Sequence, residues 1–117
     1  MSDANTTIAQ LREAVHRFAE ERAWEPFHSP KNLVMGLAVE TAELMEHFLW
    51  LECDASRNVC QDAGKKQEIA DELADVACHV FNLSNALGID LSEAVRAKMI
   101  KNALKYPVEQ YHGRFSR

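Results

Sequence analysis

The chain has 117 residues of which 47% are apolar, enough for one core but not for two, so a single domain over 1–117 is expected. Thirteen Lys and Arg against eighteen Asp and Glu leave a net charge of −5, which excludes a nonspecific grip on nucleic acid polymers. Cys53, Cys60 and Cys78 are odd in number and contain no Cys-x-x-Cys pair, which speaks against a disulfide framework or a zinc ribbon and for a reducing, cytoplasmic setting.

Met1 to Glu20 carry Asp3, Glu13 and Glu20 without a continuous apolar stretch, so neither a secretion signal nor a membrane span is expected there. With four Gly, three Pro, no alternating runs and no Asn-Gly or Asp-Gly turn, the expected class is all-α. Thr7-x-x-Gln10 has capping-box spacing, and Ile8, Leu11, Val15 and Phe18 recur at helical intervals, predicting a first helix over 7–22. A loop rich in aromatic rings follows, Trp24-Glu25-Pro26-Phe27-His28-Ser29-Pro30, in which Ser29 can cap and Pro30 can open the next helix.

That second helix is predicted over 30–51 and is apolar on nearly every side, from Leu33 and Met35 to Phe48, Leu49 and Leu51. Such a helix needs burial on more than one face, which a domain this small gains from a second copy, so a homo-oligomer is expected. Residues 52–64 lack periodicity and read as a loop or lid. A third helix over 65–87 puts Ile69, Leu73, Val76, Val80, Leu83 and Leu87 on one stripe, with Gly88 as the left-handed stop. Asp90-x-x-Glu93 caps a fourth helix running to about 105, where Pro107 ends it. The ordered core is thus about 7–107, followed by a short, polar, basic tail.

Glu40 and Glu43 are three residues apart, roughly 60° around a helix, so they share a face. Glu40 also falls beside Leu33, Leu44 and Leu51 on the most apolar helix, where an unpaired charge is costly. Glu72 and Asp75 repeat the spacing on the third helix, with Glu68 one turn earlier and His79 one turn later. Two antiparallel helices can therefore face four carboxylates toward one another. Acids so close cannot all stay ionised without a cation between them, and an all-oxygen set suits Mg²⁺ or Mn²⁺ better than zinc. Acidic pairs at this spacing also occur on solvated faces, which is the plain alternative. His16 and His47 read as surface or core histidines.

Glu40-x-x-Glu43, a spacer of 28 residues and Glu72-x-x-Asp75 resemble the metal signature of the MazG-like all-α nucleoside triphosphate pyrophosphohydrolases. Glu21-Arg22-x-Trp24-x-x-Phe27-His28-x-Pro30-x-Asn32-Leu33, then Trp50, Lys98-Met99 with Asn102, and Tyr106-Pro107 resemble the dCTP pyrophosphatase branch. At His79 the chain departs from the tyrosine of that branch. The resemblance implies a four-helix bundle completed by oligomerisation, as a dimer or a tetramer built from two dimers. It implies Mg²⁺-dependent hydrolysis of a nucleoside triphosphate, with dCTP the leading candidate, to the monophosphate and pyrophosphate, in nucleotide-pool housecleaning. The ions would be held by Glu40, Glu43, Glu72 and Asp75, with Glu43 or Glu40 taking the proton of the attacking water. Lys98, Asn102 and Lys105 share a helix side and can line a phosphate channel ending at Tyr106, or form a solvated face. Trp24, Phe27, His28 and Trp50 can hold a nucleobase by stacking and edge hydrogen bonds, or plug the fold.

Two rival readings differ in class. A helical interaction module would carry the same acids as surface charge. A di-iron bundle would need Glu-x-x-His on two helices, and Leu44 and Val76 stand where those glutamates would be.

Overall fold

Thr7 and Gln10 form the reciprocal cap that their spacing predicts: the Gln10 N–H donates to Thr7 Oγ1 at 3.1 Å and the Thr7 N–H to Gln10 Oε1 at 2.8 Å. Helix α1 follows over Ile8–Glu21. The computed structural model describes residues 1–115; Ser116 and Arg117 of the basic tail lie outside the described residues. Helix α1 stops at Ala23, which takes φ 53°, a left-handed conformation that crowds a β-carbon. The Ala23 and Trp24 N–H groups then bond the carbonyls of Glu20 and Ala19, and the chain turns into a 3₁₀ turn at Glu25–Phe27.

Ser29 accepts from the Asn32 N–H at 3.2 Å, Pro30 fills the first position, and α2 runs over Pro30–Glu46. It ends short of the predicted 51. The His47 and Phe48 N–H groups bond carbonyls three residues back, tightening the end into turns. The apolar run Phe48-Leu49-Trp50-Leu51 has no polar stop signal, so periodicity alone overextends the helix. The segment read as a loop holds two short pieces, α3 at Cys53–Ser56 and a 3₁₀ turn at Val59–Gln61. Asp62 caps α4, Ala63–Leu87, by accepting from the Lys65 N–H at 3.0 Å, and Gly88 at φ 64° stops it as predicted. Asp90 caps α5, Leu91–Lys105, through the Glu93 N–H at 2.9 Å. Beyond Pro107 the chain is not a plain tail. It forms α6, Val108–Tyr111, and the Tyr106 and Tyr111 rings meet edge to face at 5.1 Å.

All regular elements among the described residues are helical, and none of the helices is long and apolar enough to cross a membrane. Close packing joins α2 to α4 and α1 to α4. Arg12 and Asn85 lock the second pair, Arg12 Nε donating to Asn85 Oδ1 and Asn85 Nδ2 to the Arg12 carbonyl, both at 3.0 Å. Among the described residues the buried apolar ones are Ala19, Leu33 and Ile69, and Ser84 is buried as well. Helix α5 leaves this body and carries Val95, Met99, Ile100 and Leu104 at 54% to 80% exposure, while α2 exposes Val34, Met35, Val39 and Met45. Exposed apolar side chains grouped in this way are the kind of surface that a partner can cover.

Candidate metal centre

Helices α2 and α4 run antiparallel, and the residues that meet across their seam step in opposite directions along the chain. Gly36 faces His79, Glu40 lies near Asp75, Glu43 beside Glu72, and His47 against Glu68. Steps of three and four residues keep each member on the face turned to the other helix. The seam thus has four rungs. The middle two are acidic and the outer two each contain an imidazole.

One carboxylate oxygen from each of Glu40, Glu43 and Glu72 lies within 4.8 Å of the others. Burial raises the Glu40 carboxyl above its ordinary pKa, the charges of Glu43 and Asp75 add to the rise, and His79 opposes it. Glu72 is raised in the same way by burial, then by Glu43 and Asp75, with His47 opposing. Asp75 is exposed and acts on both acids, but its carboxylate stays outside the three-oxygen group. Its side chain is one methylene shorter. Three of the four expected acids therefore converge and the fourth stands alongside.

Glu40 Oε2 and Glu72 Oε2 are buried and have no hydrogen-bond partner. A buried carboxylate oxygen without a donor is expensive, and two of them in one cluster form a group that could hold a cation. The donors are all oxygens and all anionic, which fits a hard divalent ion such as Mg²⁺ or Mn²⁺. Cys78 is half-buried, and burial followed by the charge of Asp75 pushes its thiol pKa up, which keeps it protonated and a poor ligand.

Sequence reasoning placed Glu68 and His79 on the acidic side of the third helix but passed over the residues they meet, His47 and Gly36. His47, read as an ordinary histidine, has Nδ1 at 3.3 Å from Lys65 Nζ, which lies 3.4 Å from Glu68 Oε2. At the other end His79 Nδ1 lies 3.0 Å from the Asp75 carbonyl, and its ring presses on Gly36. The available signal was spacing: Gly36 is one turn before Glu40, and His47 one turn after Glu43.

The other expected site residues are dispersed. Trp24 packs edge to face between Phe18 (5.7 Å) and His28 (6.2 Å), while Phe27 is exposed and Trp50 is 91% exposed. Trp24 and His28 are thus brought together and Trp50 is not. On α5, Lys105 Nζ sits 5.3 Å from the Tyr106 ring. Among the described residues no ion pair or hydrogen bond joins Lys98, Asn102, Lys105 or Tyr106 to the acidic rungs.

A model of the MazG-like family matches residues 36–116 of this chain. The chain is similar to dCTP pyrophosphatase 1 of Bos taurus (33% identical) and of Mus musculus (34%), each over 107 residues, 92% of this chain and 63% of the relative. It therefore spans about 63% of the length of these curated relatives. A pyrophosphatase from Archaeoglobus fulgidus DSM 4304, known from its crystal structure, matches with a TM-score of 0.80 and 33% identity, over 92% of this chain and 98% of that one.

Proposed function

This chain belongs to the MazG-like family, and on that premise we propose that it is a nucleoside triphosphate pyrophosphohydrolase. Its substrate is a (deoxy)nucleoside triphosphate, dCTP first among the candidates, cleaved between the α and β phosphates to the monophosphate and pyrophosphate. The observation that carries the reading is the pair of buried, unpartnered oxygens on Glu40 and Glu72, set within 4.8 Å of a Glu43 oxygen. Glu40, Glu43 and Glu72, with Asp75 beside them, would hold Mg²⁺ or Mn²⁺. When bound, such an ion supplies positive charge against the triphosphate and makes water a better acid.

The remaining work falls to side chains of this protein. Glu43 or Glu40 takes the proton as water attacks the α phosphorus, and the bond to the bridging oxygen breaks so that pyrophosphate leaves. Lys98, Asn102 and Lys105 bear on the phosphates, with Tyr106 at the end of their row. Trp24, Phe27, His28 and Trp50 receive the nucleobase. Within the described residues no hydrogen bond or ion pair joins the lysines of α5 to the acids, and α5 has an exposed apolar face, so the working unit is a homodimer or a pair of dimers in which two copies complete a site. The three free cysteines suit a reducing cytoplasm.

The decisive experiment incubates the protein with each triphosphate and Mg²⁺ and resolves the products. Monophosphate with pyrophosphate, formed only with the metal, is expected. Diphosphate with orthophosphate, or full turnover in EDTA, overturns the proposal.

A further inference from the structure

At the outer rung nearest Glu40 the backbone leaves room for no side chain. A β-carbon built on Gly36 would lie 2.7 Å from His79 Nε2 and 2.9 Å from His79 Cδ2, closer than such atoms approach. The imidazole cannot easily swing away. Its Nδ1 lies 3.0 Å from the Asp75 carbonyl, which can only accept, so Nδ1 carries the proton and the ring is tethered one turn back along α4. Nε2 is then the edge pressed toward α2. Glu40 stands one turn beyond Gly36 on α2, and Asp75 one turn before His79 on α4. The contact therefore fixes the distance between the two helices at the point where each brings in a carboxylate.

We propose that His79, seated on Gly36 and tethered to the Asp75 carbonyl, is a positioning residue that sets the α2–α4 separation and so the spacing of the carboxylates that receive the metal. The inference rests on the metal reading given above and adds a residue pair to it. A methyl group at position 36 must either spread the helices or expel the ring and break its tether. Both outcomes move Glu40 relative to Glu72 and Asp75. Helix propensity favours alanine over glycine and works against the crowding, so the fold suffers less than the site.

The test is a double-mutant cycle read by Mn²⁺ binding, followed by electron paramagnetic resonance of the free ion, beside the thermal midpoint of the metal-free protein. Gly36→Ala is expected to weaken Mn²⁺ by about 10- to 100-fold, as displacing the groups that orient metal ligands generally does, while the metal-free midpoint moves by a few degrees at most. In a His79→Ala background the same Gly36→Ala change should have little further effect, because nothing remains to collide with. Equal losses with and without the imidazole, or parent-like affinity in Gly36→Ala, overturn the proposal. Should Gly36→Ala fail to fold, a folded Gly36→Ala/His79→Ala protein establishes the clash, and an unfolded one refutes it. A parent that binds no Mn²⁺ refutes the metal reading itself, a result distinct from additivity in a parent that binds.

Discussion

Glu72→Gln separates a metal site from a structural acidic cluster, because the two readings assign opposite signs to its effect on stability. In the metal-free protein, burial and the charges of Glu43 and Asp75 raise the Glu72 pKa above its ordinary 4.5. The folded state thus holds the proton more tightly than the unfolded chain. The associated stability is complete below the unfolded value and is lost as pH rises through the higher folded one. Glutamine keeps the shape and never ionises, so the variant should melt no lower than the parent at pH 7, and its advantage should grow as pH climbs from about 4.5. Saturation with Mg²⁺ at a hundred times Kd adds ~2.7 kcal/mol to the parent, roughly 10 °C in a chain of this size. A hundredfold weaker site reduces that gain to ~0.4 kcal/mol, a shift of one or two degrees. Hydrolysis should fall by about 100-fold or more, since several kcal/mol of transition-state charge stabilisation depend on the ion. Scanning fluorimetry across pH with and without Mg²⁺, beside a pyrophosphate-release assay, reads all of these. A variant that melts lower at pH 7 without metal, or gains as much from Mg²⁺ as the parent, refutes the argument.

Trp24→Ala and Trp50→Ala should each weaken triphosphate binding by roughly 5- to 150-fold, the worth of one base stack, and leave pyrophosphate binding unchanged; calorimetry with both ligands distinguishes a base pocket from a structural plug. Ala23→Gly should raise stability to urea by ~1 kcal/mol, because glycine relieves the left-handed strain at φ 53° for a smaller entropic cost. Met99→Glu places a charge amid the exposed apolar residues of α5 and should shift the sedimenting species toward the monomer, with activity falling in parallel. Mixing inactive Glu72→Gln and Lys98→Ala chains should restore part of the activity if acids and lysines come from different copies; no recovery would show that each chain builds its site alone.

The helical class and most helix ends were legible in the sequence because local chemistry decides them. Thr7, Ser29, Asp62 and Asp90 cap as short polar side chains do, and Gly88 stops α4 for want of a β-carbon. The end of α2 was not legible, since apolar residues continue past His47 and only the bonds between turns mark the stop. The convergence of Glu40, Glu43 and Glu72 followed from spacing on two helices assumed antiparallel. The role of Gly36 did not, because a glycine inside an apolar helix looks like any small residue until its partner is known. Where Trp50 and α5 sit was also beyond reach, since Trp50 is 91% exposed and the close helix packing is that of α2 and α1 on α4.

Leu33, two turns before Glu40, and Ile69, one turn before Glu72, are at most 8% exposed, so apolar side chains flank the acidic rungs along both helices. One oxygen each of Glu40 and Glu72 is shut away from water, and that exclusion is what raises their carboxyl pKa values. The same exclusion makes the acids repel strongly, in a chain whose buried apolar core is small. Under the proposal two partners would relieve the imbalance from different directions: a cation would cancel the repulsion from within, and a second copy would cover the apolar faces of α2 and α5 from without. On the proposed reading a triphosphate would bridge them, anionic toward the cation in the seam and toward the lysines of α5 at once. Nucleotide, metal and assembly would then be coupled by charge, and Mg²⁺ affinity measured with and without nucleotide should differ if they are.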